Sequence, residues 1–327
     1  MARRMPALPP MDGKEYAMKN QEWVSIDLTV VELPQEVQEL ALFYGGYTPA
    51  TVIKADLGDL STLIYSVSYG GTISAIAIDD SHIYVGGSTT NTVRKYLKSD
   101  LSYVGETPNY GGTINTIAID DSHIYVGGST TKKVRKYLKS DLSYISESES
   151  YGDTISAIAI DDSHIYVGGL TTTKVRKYLK SDLSYISESA DYGGGINTIA
   201  IDDSHIYVGD SATTVRKYLK SDLSYVGETP SYGDTIFAIA IDDSHIYVGG
   251  STTNTVRKYL KSDLSYISES ADYGGTILAI AIDDSHIYVG GLTTIYVDKV
   301  RKYLKSDLSY VGETSNYGGA IRTIAID

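Results

Sequence analysis

Apolar and polar positions fall into short alternating stretches along most of this chain. Within residues 69–109 there are four runs rich in β-branched and aromatic residues: 72–78 (TISAIAI), 82–85 (HIYV), 92–97 (TVRKYL) and 101–106 (LSYVGE). The segments between them, DDS, GGSTTN, KSD and TPNYGG, supply Gly for positive φ and Asp, Asn and Ser for local side-chain to backbone bonds. Runs this short, bounded by turn residues, predict strands rather than helices. The first run is apolar on both faces, which predicts a strand enclosed on both sides. The third alternates Val93, Lys95 and Leu97 with Arg94, Tyr96 and Lys98, as expected nearer a rim.

This unit recurs almost letter for letter. Its Tyr-Gly start falls at Tyr69, Tyr110, Tyr151, Tyr192, Tyr232, Tyr273 and Tyr317, giving periods of 41, 41, 41, 40, 41 and 44 residues. Four strands repeated at a period in the low forties predict propeller blades. The chain ends add to this expectation. Residues 39–68 align with strands two to four of the unit, with Leu42 under Ile83, Val52 under Val93 and Leu60 under Leu101, but they lack a first strand. Residues 320–327 (AIRTIAID) are a first strand and nothing more. Glu39 corresponds to Asp80 and Asp327 to Asp79, so one end stops where the other begins. The fold class predicted is all-β: a seven-bladed β-propeller of six full four-stranded blades and one blade closed by N- and C-terminal strands. Closure of this kind leaves no free blade edge.

The unit IAIDDSHIYVGG, followed by TVRKYL and LSYVGE, resembles the YVTN and NHL type of propeller repeat over residues 39–327. It lacks the His-Gly and Trp-Asp pairs of WD repeats. Such a resemblance implies a fold and a tendency to bind partners, without implying chemistry.

Residues 1–38 differ in composition and are expected to form a separate N-terminal anchoring arm, with the propeller at 39–327. Residues 1–10 are basic and Pro-rich. The following DGKEYAMKNQEWVSI predicts a small hairpin, with strands near 15–18 and 23–28 and a turn at 19–21. A lone hairpin buries no core of its own. The segment is similar to an Asp-Gly-Lys-x-Tyr-x-x-x-Asn-x-x-Trp-Val stretch near the N-termini of bacteriophage head-fibre and tail-fibre proteins. It matches at Asp12, Gly13, Lys14, Tyr16, Asn20, Trp23 and Val24, and departs by having Asn20-Gln21 in place of Asn-Gly. The resemblance implies an anchor onto other virion proteins, or a trimer-forming collar.

Composition narrows the function classes. A net charge of −13 argues against nucleic acid and anionic membranes as partners. The absence of cysteine removes disulfides and thiolate metal sites. No apolar run approaches a membrane span, and residues 1–16 carry no apolar core of a secretion signal. The six histidines occupy the same Asp-Asp-Ser-His turn in each complete blade. Symmetry spreads these turns around the ring, so no metal site is expected. Every Asp, Ser and His of the repeat appears many times over, whereas catalysis needs a unique constellation, so neither an enzyme nor a cofactor is expected. The Arg-Lys pairs of the third strand (Arg94, Arg135, Arg176, Arg216, Arg257, Arg301) read as solvated outer edges, neutralised by Asp100 and its equivalents.

Candidate recognition residues lie where the units differ. The position after the first-strand Ile reads Ser74, Asn115, Ser156, Asn197, Phe237, Leu278 and Arg322. The loop between strands two and three also varies, and expands in the sixth unit to LTTIYVDK. Both regions belong to one face, where Phe237, Leu278, Arg322, Ile295 and Tyr296 suit a receptor or partner. The function expected is a non-enzymatic virion appendage, a head or tail fibre or a decoration protein assembled in the host cytoplasm. Its arm would bind other virion proteins and its propeller a host-surface glycan or protein receptor. The alternatives are a cytosolic scaffold for protein partners and a glycan-cleaving propeller, the latter lacking any unique acid/base pair.

Overall fold

The computed structural model describes residues 16–19, 22–25, 41–47, 50–293 and 298–327. The chain divides into two units, 1–39 and 40–327. In the first, strands Tyr16–Lys19 and Glu22–Ser25 form an antiparallel hairpin in which Ala17 pairs with Val24 and Met18 with Trp23. Tyr16, Trp23 and Val24 thus lie on these strands, while Asp12, Gly13, Lys14 and Asn20 lie outside the described residues.

The second unit is seven four-stranded antiparallel sheets, six of them following chain order from the inner to the outer strand. Blade 1 runs through Ile73–Ile78, His82–Gly87, Arg94–Leu97 and Tyr103–Glu106, and blades 2 to 6 repeat it. The seventh blade takes its inner strand, Ile321–Ile326, from the C-terminus. Its other strands, Ala41–Gly46, Ile53–Asp56 and Thr62–Tyr65, come from the start of the propeller. Leu42 pairs with Ile326 and Tyr44 with Ile324, which closes the ring as the chain ends predict. Among the described residues no helix is long and apolar enough to cross a membrane.

The core is not central but lies between blades. Seven clusters of buried residues each join two neighbours; one unites Tyr84 and Val93 of blade 1 with Tyr110, Ile114, Ile124 and Val126 of blade 2. The second strand, not the first, is the most enclosed: Ile83 to Gly87 are all buried, while Ala77 and Ile78 of the inner strand are only partly covered. The inner strand has blades on two sides but borders the central channel along its free edge. Blades approach closely enough that a Cβ on Gly86 would stand 2.6 Å from the Ile114 side chain of the next blade. Only glycine permits that contact.

Candidate functional site

Each blade offers the ring two surfaces. At the lower one the inner strand ends in the Asp-Asp-Ser-His turn, beside the Lys-Ser-Asp-Leu turn after the third strand. In blade 3, Asp161 Oδ1 accepts from the Ser163 and His164 amides and Oδ2 accepts from the Tyr166 hydroxyl at 2.9 Å. Lys220 of blade 4 completes the site, 2.8 Å from Asp161 Oδ2. Burial works to raise this carboxyl, but the lysine, the two amides and the tyrosine outweigh it and hold it well below the usual range. At Asp120 the same balance brings the pKa down to about 2. Burial and the adjacent carboxylate push the Tyr166 hydroxyl up.

Six such ion pairs, of 2.5 to 3.3 Å, link consecutive blades around the lower face. Among the described residues the seventh, from blade 6 to the closing blade, is missing, because Leu57 stands where the other blades have lysine. Asp283 there keeps its Tyr288, Ser285 and His286 partners. No group of three or more His, Asp or Glu among the described residues is placed to hold a metal ion.

The third-strand charges differ from their expected role. Lys95 and its equivalents in blades 2 to 6 are buried, and Lys95 Nζ donates to the Lys139 carbonyl of the next blade at 2.8 Å. Arg94 pairs with Glu106 rather than Asp100, stacks on the Tyr69 ring at 5.3 Å and donates to the Ser68 carbonyl. Asp100 instead accepts from the Ser102 amide in its own turn. The lysines clamp blades together, whereas Arg94 stays half-exposed and braces its own blade. Alternation within one strand could not reveal this, since a lysine that passes over Tyr84 of the adjacent strand to reach the next blade reads as polar.

The upper face, where inner strands begin, is built on the tyrosine of each Tyr-Gly start. The Tyr69 hydroxyl donates to the Thr92 carbonyl at 2.8 Å, and Tyr110, Tyr151, Tyr232 and Tyr273 make the equivalent bond in their own blades. On this frame the variable positions separate into two kinds. Asn115 and Asn197 donate across the blade junction to the carbonyls of Ile155 and Ile236, both at 3.0 Å, so they are internal bridges. Phe237 and Leu278 are half-buried and Arg322 is exposed, on the consecutive blades 5, 6 and 7. They form an arc of one aromatic, one aliphatic and one cationic side chain, facing smaller polar residues on blades 1 to 4. Leu292, 40% exposed, adds to it from the second strand of blade 6, which here extends to Thr293, whereas Ile295 and Tyr296 lie outside the described residues. Leu170 is exposed on the corresponding loop of blade 3, one of the loops that vary between units.

No protein-family model matches this sequence, and none of the curated proteins matches it. Solved structures do resemble the fold. The WD40 repeats of RRP9 align with a TM-score of 0.71 at 12% identity, over 86% of this chain and 88% of that one. The WD40 β-propeller domain of Doa1 aligns with a TM-score of 0.67 at 12% identity, over 77% and 86%. The computationally designed protein Ika8 aligns with a TM-score of 0.64 at 11% identity, over 86% and 80%. At these identities the likeness concerns architecture alone: the chain folds as a β-propeller of the kind built by WD40 repeats.

Proposed function

We propose that this chain is a non-catalytic binding propeller that takes a protein partner on its upper face. The carrying observation is the Phe237–Leu278–Arg322 arc on adjacent blades, the place at the channel mouth where large side chains replace the small polar ones. Large apolar groups held half-exposed on a rigid ring bury area on contact with little ordering cost. The WD40 likeness supports this reading, since such propellers generally serve as protein-binding platforms. The finer reading is a virion appendage, anchored by residues 1–38 and displaying the propeller to a host-surface receptor. It is supported by the resemblance of the segment around Tyr16, Asn20, Trp23 and Val24 to phage fibre proteins, and by the paired strands of that segment.

The test is site-specific photocrosslinking in the native host, with a benzoylphenylalanine at position 237 and, as control, at position 138 on the lower face. Capture of one discrete protein from position 237 alone is expected. Capture only from position 138 would move the site to the lower face, and equal capture from both would remove the arc as a recognition element. Co-purification of the chain with intact particles decides between the virion appendage and a cytosolic scaffold.

A further inference from the structure

Blade 4 departs from its siblings at one buried group. Every other blade has glycine at the equivalent position, as at Gly87, Gly128, Gly250 and Gly291, but blade 4 has Asp210 there. The same blade has the 40-residue period, reads Gly195 where most blades have threonine, and carries the shortest upper loop, residues 211–214. Asp210 is fully buried. Its Oδ1 accepts from the Ala212 amide at 2.7 Å, and its Oδ2 is buried without a partner. Blade 6, whose loop is expanded, repeats this arrangement: Asp298 is fully buried, Oδ1 accepts from the Thr293 amide, and Oδ2 is unpartnered. A buried carboxylate thus sits at each of the two loops whose length changed.

The surroundings of Asp210 offer little to an anion. Tyr192 faces it from the lead-in segment, Arg216 and Tyr218 from the third strand, and Glu228 from the outer strand. Arg216 is already engaged, with Nε on Glu228 at 3.0 Å and Nη1 on the Tyr192 carbonyl. The blade 5 residues packed on the adjoining Gly209, Ile236 and Ile239, are apolar. Ionising a carboxyl in such a place leaves a desolvated charge that only outward movement can hydrate.

We propose that the upper loop of blade 4 is a proton-dependent element, closed while Asp210 is protonated and opened when it ionises. Burial pushes this carboxyl up to about 6, the opposite direction to the lower-face aspartates. A folded-state pKa raised above the unfolded one stabilises the closed loop fully below the unfolded value, near 3.8, and that stabilisation is lost as pH rises through about 6. Opening would act on the neighbouring blade, because Gly209 packs on Ile236, which immediately precedes Phe237.

The test is hydrogen exchange on the full chain at about pH 5 and about pH 7.5, corrected for intrinsic rates, with no partner present. Protection of residues 210–214 is expected to fall about tenfold between the two, the part of the linkage between 3.8 and about 6 that remains above pH 5. D210N, which cannot ionise, and D210G, which restores the residue of the other blades, should both abolish the response. His82 and His205, held below their ordinary pKa mainly by burial, work in the opposite sense on global stability. The difference between wild type and variant removes them. A wild-type loop equally protected at both values, or a response that survives in either variant, overturns the inference. Neither result bears on whether the upper face binds a partner.

Discussion

The lower and upper faces of this propeller are made by the same seven blades and follow opposite rules. Below, Asp161 is fully used, holding two amides, a tyrosine and a neighbour's lysine, and the arrangement recurs in blades 1 to 5. Above, repetition stops at the tyrosine frame, and individual blades carry Phe237, Leu278, Arg322 or a buried Asp210. A turn that satisfies its own backbone and also clamps the next blade tolerates little change, since altering one residue strands several partners. A loop resting on a frame built beneath it can vary.

The largest effect is expected from breaking the ring that both faces share. Deleting residues 320–327 removes the inner strand of the closing blade and the partner of Leu42 and Tyr44. The truncated chain should aggregate or lose its cooperative thermal transition, read by light scattering and calorimetry. A truncated chain that melts like the parent would mean the two ends do not share a blade.

Next in size is the lower face itself. Asp161→Ala leaves two amides, a hydroxyl and an ammonium without their acceptor, and should cost about 2–4 kcal/mol in urea unfolding. Its pH dependence has a definite sign. The folded pKa values of these aspartates are depressed, so their contribution is present above the unfolded value near 3.8 and lost as pH falls towards about 2. Acid should therefore weaken the wild type more than Asp161→Ala, with denaturation midpoints converging. If the gap between them persists at low pH, the carboxylate charge is not what holds the junction.

The smallest expected effect sharpens the comparison at the junction that lacks a clamp. Leu57→Lys would offer Asp283 the ammonium that the other junctions have. The lost leucine burial should lower stability overall, but the new ion pair should appear as a coupling of about 0.5–1 kcal/mol between Leu57→Lys and Asp283. The same lysine paired with Asp283→Asn should gain nothing. A double variant as stable as the single one would show that the lysine acts otherwise.

Much of this was legible in the chain because it depends on local and repeated information. Short runs such as TISAIAI and HIYV, bounded by Asp-Asp-Ser and Gly-Gly, define strands without reference to anything distant. The count of Tyr-Gly starts, with the complementary ends at Leu42 and Ile326, defines the number of blades and their closure. That the lower-face turn uses Asp to bond local backbone was legible too; the structure shows the amides to be those of Ser81 and His82 for Asp79. What the sequence left undetermined are contacts between blades. Lys95 looks like a rim charge until the next blade is packed against it, and Lys139 could serve its own Asp120 or its neighbour's Asp79. Asn115 and Phe237 occupy the same repeat position, yet one bridges to Ile155 and the other stands half-exposed. Asp210 reads as one more turn residue, and only its enclosure beside Tyr192 makes its charge costly. A strand's pattern records whether a side chain leaves the sheet, whereas the geometry of two packed blades decides what it meets there.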